Sequence, residues 1–275
     1  MNLTKQRNKK IRILFFGDIF GEPGIKTVEK YIQTLKEKYK IDFIIAQGEN
    51  ISGRKGLNKT DYLKLSELGI NAFTMGNHVW ANEEIYELLE NENNIIRPLN
   101  IDRGYQGSGA KIFKVKNSKL RVISLLGITF NNLLSPWEQE SANNFFDAMD
   151  SIMQEEFVDF NFVDFHAETT SEKNVLGLYL DGVVDALVGT HTHVQTNDYR
   201  ILPKGTAYIT DVGMVGPMNA AIGANFEEVY KKMRYNSREK FTVSENNTQL
   251  NAVIIELNTK RENTIKPINI YNIEI

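Results

Sequence analysis

Three observations predict an α/β fold built on a largely parallel sheet. Short apolar runs recur along the 275 residues, and each is closed by Gly, Asn, Asp or His. The runs are near-continuously apolar, which suits strands buried on both faces. Segments with helical periodicity lie between several of them, the alternation expected of helices packed on a parallel sheet.

The chain starts on a basic stretch, MNLTKQRNKK, read as a flexible N-terminal tail over residues 1–10. A single domain is expected over 11–275. IRILFF opens it and stops at Gly17-Asp18 after six residues. That is shorter than a signal-peptide core, so the segment reads as a first strand. IKTVEKYIQTLKEKY places Ile25, Val28, Ile32, Leu35 and Tyr39 at helical spacing. DFIIAQ is the second strand, closed by Gly48-Glu49-Asn50. KTDYLKLSELG reads as a helix with Thr60 as N-cap and Gly69 at its close. NAFTM, the third strand, runs into Gly76-Asn77-His78, and NEEIYELLENE follows as a helix with acidic residues in its first turn. ANNFFDAMDSIMQEEF and SEKNVLGLYLDG supply two more helices on either side of the strand FNFVDF, which ends at His166. VDALV precedes Gly189-Thr190-His191, and AYIT precedes Asp211. FTVSENNTQLNAVIIELN and IKPINIYNIEI then read as antiparallel strands. Two packed sheets with helices outside accommodate both halves.

Composition narrows the function. The net charge of −3 argues against a strong nucleic-acid-binding surface. The absence of cysteine excludes disulfides, thiolate metal sites and cysteine catalysis, and it fits a cytoplasmic protein. No run approaches the ~18 apolar residues of a membrane span. No apolar stripe marks a contact with another chain.

The polar residues collect where open α/β sheets bind ligands, beyond the carboxyl ends of the strands. Asp18, Glu49, Asn50, Asn77, His78, His166, His191 and His193 all fall there, using every histidine of the chain. Taken singly, Asp18 also reads as a turn carboxylate, and Asn50 and Asn77 as left-handed turn residues. The joint pattern points to a metal site. In GTHTHVQT, an extended backbone persisting past Gly189 would aim His191 and His193 at one place and turn Thr192 away. Eight candidates suffice for two metals sharing one carboxylate, the arrangement that clamps both oxygens of a phosphoryl displacement. Imidazole, carboxylate and amide oxygen suit Fe, Mn or Zn. Asp18 and Glu49 would neutralise only part of the charge of two such ions, leaving a site that attracts phosphate.

The stretches ILFFGDIFGEPG, AQGENISGRKGL, TMGNHVW, RPLN, VDFHAETTSEK and VVDALVGTHTHVQTNDYRILPKGTAYITDVGMVGP resemble the calcineurin-like metallophosphoesterase superfamily. Within it they are similar to the YmdB-type phosphoesterases of bacteria. The resemblance implies a four-layer α/β/β/α sandwich, two mixed sheets flanked by helices. It implies a dinuclear centre: Asp18, Asn50 and His193 on one ion, Asn77, His166 and His191 on the other, Glu49 bridging. The cofactors would be two divalent or trivalent ions, Fe or Mn first and Zn as the further candidate. A metal-bridging hydroxide would attack, and His78 would act as general acid. The implied substrates are small phosphodiesters, 2′,3′- or 3′,5′-cyclic nucleotides, and family members often associate as homo-oligomers. The first motif departs from the superfamily's Asp-x-His, since Phe20 stands where the histidine would be, and the usual bridging Asp is Glu49. Tyr105, Phe130 and Trp137 are candidates to stack on a base, and Arg54 and Lys55 to meet phosphate. Rival readings are a phosphomonoesterase or nuclease on the same site, or a regulatory protein that binds an RNA-processing partner.

Overall fold

The computed structural model describes residues 8–275. The apolar runs become strands, in chain order β1 (Lys10–Phe16), β2 (Asp18–Ile19), β3 (Phe43–Gln47), β4 (Ala72–Thr74) and β5 (Ile95–Ile96). The series continues with β6 (Ala110–Val115), β7 (Ser118–Leu126), β8 (Phe160–His166), β9 (Ala186–Thr190) and β10 (Arg200–Ile201). It ends with β11 (Ala207–Ile209), β12 (Met214–Pro217), β13 (Thr248–Asn258) and β14 (Thr264–Ile273). The helices are α1 (Gly21–Tyr39), α2 (Lys59–Glu67), α3 (Glu84–Asn91), α4 (Phe145–Ile152), α5 (Thr170–Tyr179) and α6 (Phe226–Tyr235).

The strands form two mixed sheets. One has the order β2-β12-β13-β1-β3-β4-β5, with β14 also paired to β13. The other has the order β10-β11-β9-β8-β7-β6. Strands β1, β3, β4 and β5 run parallel, as do β7, β8, β9 and β11, so their carboxyl ends share one edge in each sheet. As expected, β13 and β14 are antiparallel.

Alternation along the strands builds the layers. Ile11, Ile13 and Phe15 of β1 pack against Phe160 and Phe162 of β8 between the sheets. Leu14 and Phe16 point the other way, onto Ile25, Val28 and Ile32 of α1. On the far sheet Val163 and Phe165 meet Met149 of α4 and Leu176 of α5. The result is helix, sheet, sheet, helix, the expected four-layer sandwich.

Some local expectations needed correction. Residues 1–7 of the tail read at 1–10 lie outside the described residues. Within the rest, Lys9 pairs with Asp159 at 2.7 Å, and Lys10 already belongs to β1. The N-cap of α2 is Asn58, not Thr60; its side chain accepts the Asp61 N–H at 2.7 Å. The β6–β7 hairpin and α6 had no clear sequence signal. Among the described residues no helix is long and apolar enough to cross a membrane.

Candidate metal centre

The carboxyl ends of five strands deliver the predicted side chains to one place. Asp18 opens β2 directly after β1, Glu49 and Asn50 follow β3, Asn77 and His78 follow β4, His166 ends β8, and His191 and His193 follow β9. Asp18 and His166 are fully buried, and Glu49, Asn50 and His193 nearly so. Glu49 is the hub. Its Oε1 lies 3.1 Å from His166 Nε2 and 2.9 Å from His78 Nδ1, and its Oε2 accepts the His78 backbone N–H at 2.9 Å. Asp18 Oδ1 lies 3.7 Å from His193 Nε2 and 3.9 Å from His166 Nδ1. Asn50 Nδ2 donates to the Arg54 carbonyl and lies 3.5 Å from His78 Nδ1. Asn77 touches the cluster only through its chain neighbours; its carbonyl accepts the Trp137 indole N–H at 2.7 Å.

GTHTH corrects the extended premise. Strand β9 ends at Thr190, and His191 and His193 take φ of 107° and 64°. Positive φ is uncommon outside glycine, so tertiary contacts hold this turn. The turn sends the two rings apart, His191 onto His166 and His193 beside Asp18. Thr192 uses its backbone N–H to reach Asp211 Oδ2 at 3.0 Å. Asp211 is buried and paired with buried Lys173 at 2.8 Å, and it also accepts the Gly213 N–H. It therefore pins the turn that carries both histidines.

Hydrogen bonds orient the rings, with Gln47 Nε2 and Thr190 Oγ1 both on His166 Nδ1, at 3.2 and 2.9 Å. The Thr190 hydroxyl donates to Asp164 Oδ1 at 2.7 Å, so it accepts from His166 Nδ1 at 2.9 Å. That turns His166 Nε2 inward, where the neutral ring would present its lone pair. Glu168 Oε2 accepts from His191 Nε2 at 2.9 Å, leaving His191 Nδ1 as the inward acceptor. His193 Nδ1 donates to the Ile222 carbonyl at 3.0 Å, leaving Nε2 toward Asp18. His166 Nε2 and the acceptor His191 Nδ1 thus face each other at 2.9 Å beside the Glu49 carboxylate. Such a trio calls for a cation among its members, a metal ion or, with none bound, the proton that the carboxylates hold on His166.

With no ion bound, the charge states put a proton where the lone pair would otherwise face inward. Burial disfavours a charged His166, but the carboxylates of Glu49, Asp18 and Asp164 outweigh it and raise the ring to about 9. Burial, with His166 beside it, pushes His191 down to about 3. Burial also works against the Glu49 carboxylate, yet His166 and His78 hold it well below the usual range. Asp18 and Asp164 are pushed up, chiefly by burial, Asp164 to about 7.

A metal fits these residues. Asp18 Oδ1, Asn50 Oδ1 and Asn77 Oδ1 are buried oxygens with no hydrogen-bond partner. Buried acceptors are normally satisfied, so orphan oxygens on three strand-end residues need an explanation. Glu49, His166 and His191 each offer a ligand atom within 4.8 Å of the others. Gly76 makes the room: a Cβ there would meet Glu49 Oε2 at 2.3 Å and His166 Cδ2 at 2.4 Å.

Residues that sequence reasoning missed are Gln47, Thr74, Asp164, Thr190 and Lys173. Gln47 accepts the Glu49 N–H and Thr74 donates to Asp164. Only the even-numbered neighbours along β8, Asp164 and His166, carried a signal: two polar residues on one face of an otherwise apolar strand. Of the proposed base-stacking residues, Tyr105 and Trp137 pack with Trp80 at ring separations of 5.3 and 5.8 Å, while Phe130 is exposed. The Arg54 guanidinium sits over Phe241, and Lys55 is exposed at a cavity of about 120 Å³ that it shares with His78.

A two-sheet sandwich with imidazoles, amides and carboxylates gathered at its strand ends is the architecture of a metallophosphoesterase. Residues 14–269 match the profile of the family described as YmdB-like protein, and the chain belongs to that family. It is 43% identical over 258 residues to a 2′,3′-cyclic-nucleotide 2′-phosphodiesterase of Bacillus subtilis, covering 93% of this chain and 95% of the relative. A solved phosphatase of Mycoplasma pneumoniae superposes with a TM-score of 0.89 at 37% identity, covering 97% of this chain and 95% of that one. A hypothetical protein of Thermus thermophilus gives a TM-score of 0.87 at 35% identity, covering 95% of this chain and 100% of that one.

Proposed function

We propose that this enzyme hydrolyses small phosphodiesters, foremost 2′,3′-cyclic nucleotides, at a dinuclear centre in a domain spanning 11–275. The observation that carries the reading is the cluster of His166 Nε2, His191 Nδ1 and the Glu49 carboxylate, with unpaired buried oxygens on Asp18, Asn50 and Asn77 at the ends of the same strands. Asp18, Asn50 and His193 would hold one ion and Asn77, His166 and His191 the other, with Glu49 shared. Fe or Mn suits this donor set, with Zn as a further candidate. When bound, the ions would supply Lewis acidity toward the phosphoryl oxygens and lower the pKa of the attacking water. The B. subtilis relative favours the 2′,3′-cyclic substrate over the 3′,5′-cyclic one. A cysteine-free chain is compatible with work in the cytoplasm.

The protein's own residues supply the rest. His78 is anchored by two hydrogen bonds to Glu49, and its Nε2 has no hydrogen bond among the described residues. That nitrogen is the one available to protonate the leaving oxygen. Lys55, on the same cavity, adds a positive charge for the phosphate. Asp164, through Thr190, holds His166 with Nε2 inward.

The test is hydrolysis by protein loaded with Mn or Fe, comparing 2′,3′-cyclic AMP, 3′,5′-cyclic AMP, a phosphomonoester and single-stranded RNA. The 2′,3′-cyclic substrate should turn over fastest. Faster turnover of the monoester or the RNA would overturn the substrate assignment, and turnover of none would overturn the enzyme reading.

A further inference from the structure

The segment between β7 and α4, residues 127–144, runs along the rim of the metal centre. At its start the Gly127 N–H donates to the His166 carbonyl at 3.0 Å. Further on, Leu133, Leu134 and Trp137 line the cavity that holds His78 and Lys55. The segment is pinned on both sides. Glu172 Oε1 accepts the N–H groups of Ile128 and Thr129 at 2.8 and 2.9 Å. Tyr105 Oη accepts those of Glu138 and Gln139 at 2.8 and 3.2 Å, and the Trp137 indole holds the Asn77 carbonyl. Phe130 stands between these anchors and is 87% exposed. It is the third residue of a turn closed by the Asn131 N–H on the Ile128 carbonyl at 3.3 Å, and its φ is 56°. A turn with a left-handed third residue favours Gly or Asn there. Nothing inside the protein offsets the use of phenylalanine: among the described residues its backbone makes no hydrogen bond and its ring stacks on no other aromatic ring. Ile222, the other bulky apolar residue with a left-handed φ, has a use for its backbone, since its carbonyl holds His193 Nδ1. Strain of this kind persists where the surroundings over-determine it, and it gathers at ligand clamps.

We propose that Phe130 is a specificity-determining residue, whose ring stacks on the base of the nucleotide bound through its phosphate at the metal centre. The inference rests on the phosphodiesterase reading and names the group beyond the phosphate that the site recognises. Size supports it. The cavity beside His78 has a volume of about 120 Å³, whereas a site that encloses a small organic ligand has roughly 300–1,000 Å³. It has room for the phosphoryl end, with Lys55 beside it, and the base lies outside, on the rim. There Phe130 offers a flat apolar face on a pinned segment, so little ordering is lost on binding. Every base has a π-face, so one ring serves purines and pyrimidines alike. The other two candidate aromatics are already engaged: Tyr105 and Trp137 pack on Trp80, and their polar atoms are bonded.

The test compares the wild type with Phe130→Asn, a residue that suits the left-handed turn, both as the full chain loaded with Mn. Glycerol 1,2-cyclic phosphate carries the cyclic diester without a base. The preference for 2′,3′-cyclic AMP over it should fall about tenfold in the variant, the loss expected on removing one stacking ring, and the fall should lie in KM and not in kcat. Titration calorimetry reads the same contact without turnover: adenosine 3′-monophosphate should bind the variant about tenfold more weakly, and inorganic phosphate should bind both proteins alike. The thermal midpoint of the variant should stay at or above that of the wild type, because the strain and the exposed ring leave together. An unchanged preference, or an equal loss on both substrates, would overturn the proposal. So would a lower midpoint or a changed sedimentation coefficient, which would assign the ring to packing within the protein or to a subunit contact. A wild type that hydrolysed both cyclic esters without preference would overturn this inference and leave the phosphodiesterase reading standing. A wild type that hydrolysed neither would overturn both.

Discussion

Gly76→Ala tests the metal centre with one methyl group. Gly76 lies outside the left-handed region, so its backbone tolerates alanine and the substitution probes space alone. The added Cβ would come within 2.3 Å of Glu49 Oε2 and 2.4 Å of His166 Cδ2, where ordinary contact begins at 3.4 Å. Each side chain would have to retreat by about 1 Å, and neither has a free direction. Glu49 is held by two hydrogen bonds from His78, and the His166 ring is fully buried between Glu49 and Thr190. Overpacking of this size costs about 1–3 kcal/mol. Disturbing the support of a ligand lowers metal affinity about 10–100-fold, and a misplacement near 1 Å costs roughly a hundredfold in rate. The assay is metal per chain by elemental analysis along a Mn titration, with hydrolysis of a model diester on the same samples. Gly104→Ala is the control, because a Cβ there meets nothing within 4 Å. If Gly76→Ala bound metal and turned over like Gly104→Ala, Glu49 and His166 would not be the cradle described.

Three further outcomes are expected. His78→Gln should keep its metal and lose about 10²–10⁴-fold in kcat on a model diester; an unchanged rate would remove His78 from the acid role. Chelation should lower the thermal midpoint and Mn should restore it, by about 2.7 kcal/mol at a hundred times Kd; a midpoint indifferent to both would count against ligation. Burial raises Asp185 from 3.8 to about 6, so its folded form binds the proton more tightly and stability falls as pH rises through that interval, by at most about 3 kcal/mol. Asp185→Asn should remove that fall in urea titrations between acid and neutral pH, and parallel curves for the two proteins would refute it.

The sequence is informative where burial is two-sided. IRILFF and FNFVDF are apolar on both faces because helices cover one side and the second sheet the other, so strands and layers can be read directly. The hairpin β6–β7 begins on an edge strand that is largely solvated, which blurs its pattern. Helix α6 buries no face, so its periodicity has no partner within the chain to identify it. At the centre, the residue types at the strand ends are legible because few other structures place every histidine there. The dihedral angles of the GTHTH turn are not, since they depend on Asp211 and Lys173, which come from other elements. The Thr190–Asp164 link is equally silent, because a threonine and an aspartate on neighbouring strands have no local signature.

Phe20 shows how a departure from a motif is absorbed by packing. Its ring meets the His193 ring edge-on at 5.6 Å, and glycines make space for it: a Cβ at Gly223 would approach its ring to 2.6 Å, and one at Gly216 would approach its Cβ to 2.9 Å. An imidazole there would exchange an apolar edge for a polar one in a buried slot, with nothing gained unless it reached an ion. Phe20 instead confines His193 from one side while the Ile222 carbonyl fixes its Nδ1. Asn50 Oδ1 remains buried and unpaired, because its amide nitrogen is taken by the Arg54 carbonyl. The loss of one nitrogen donor thus coincides with one oriented oxygen acceptor, and with a histidine whose orientation is set by an aromatic edge. If Asp18, Asn50 and His193 hold an ion as proposed, this donor set is less basic than one with a further imidazole and would favour harder ions over softer ones.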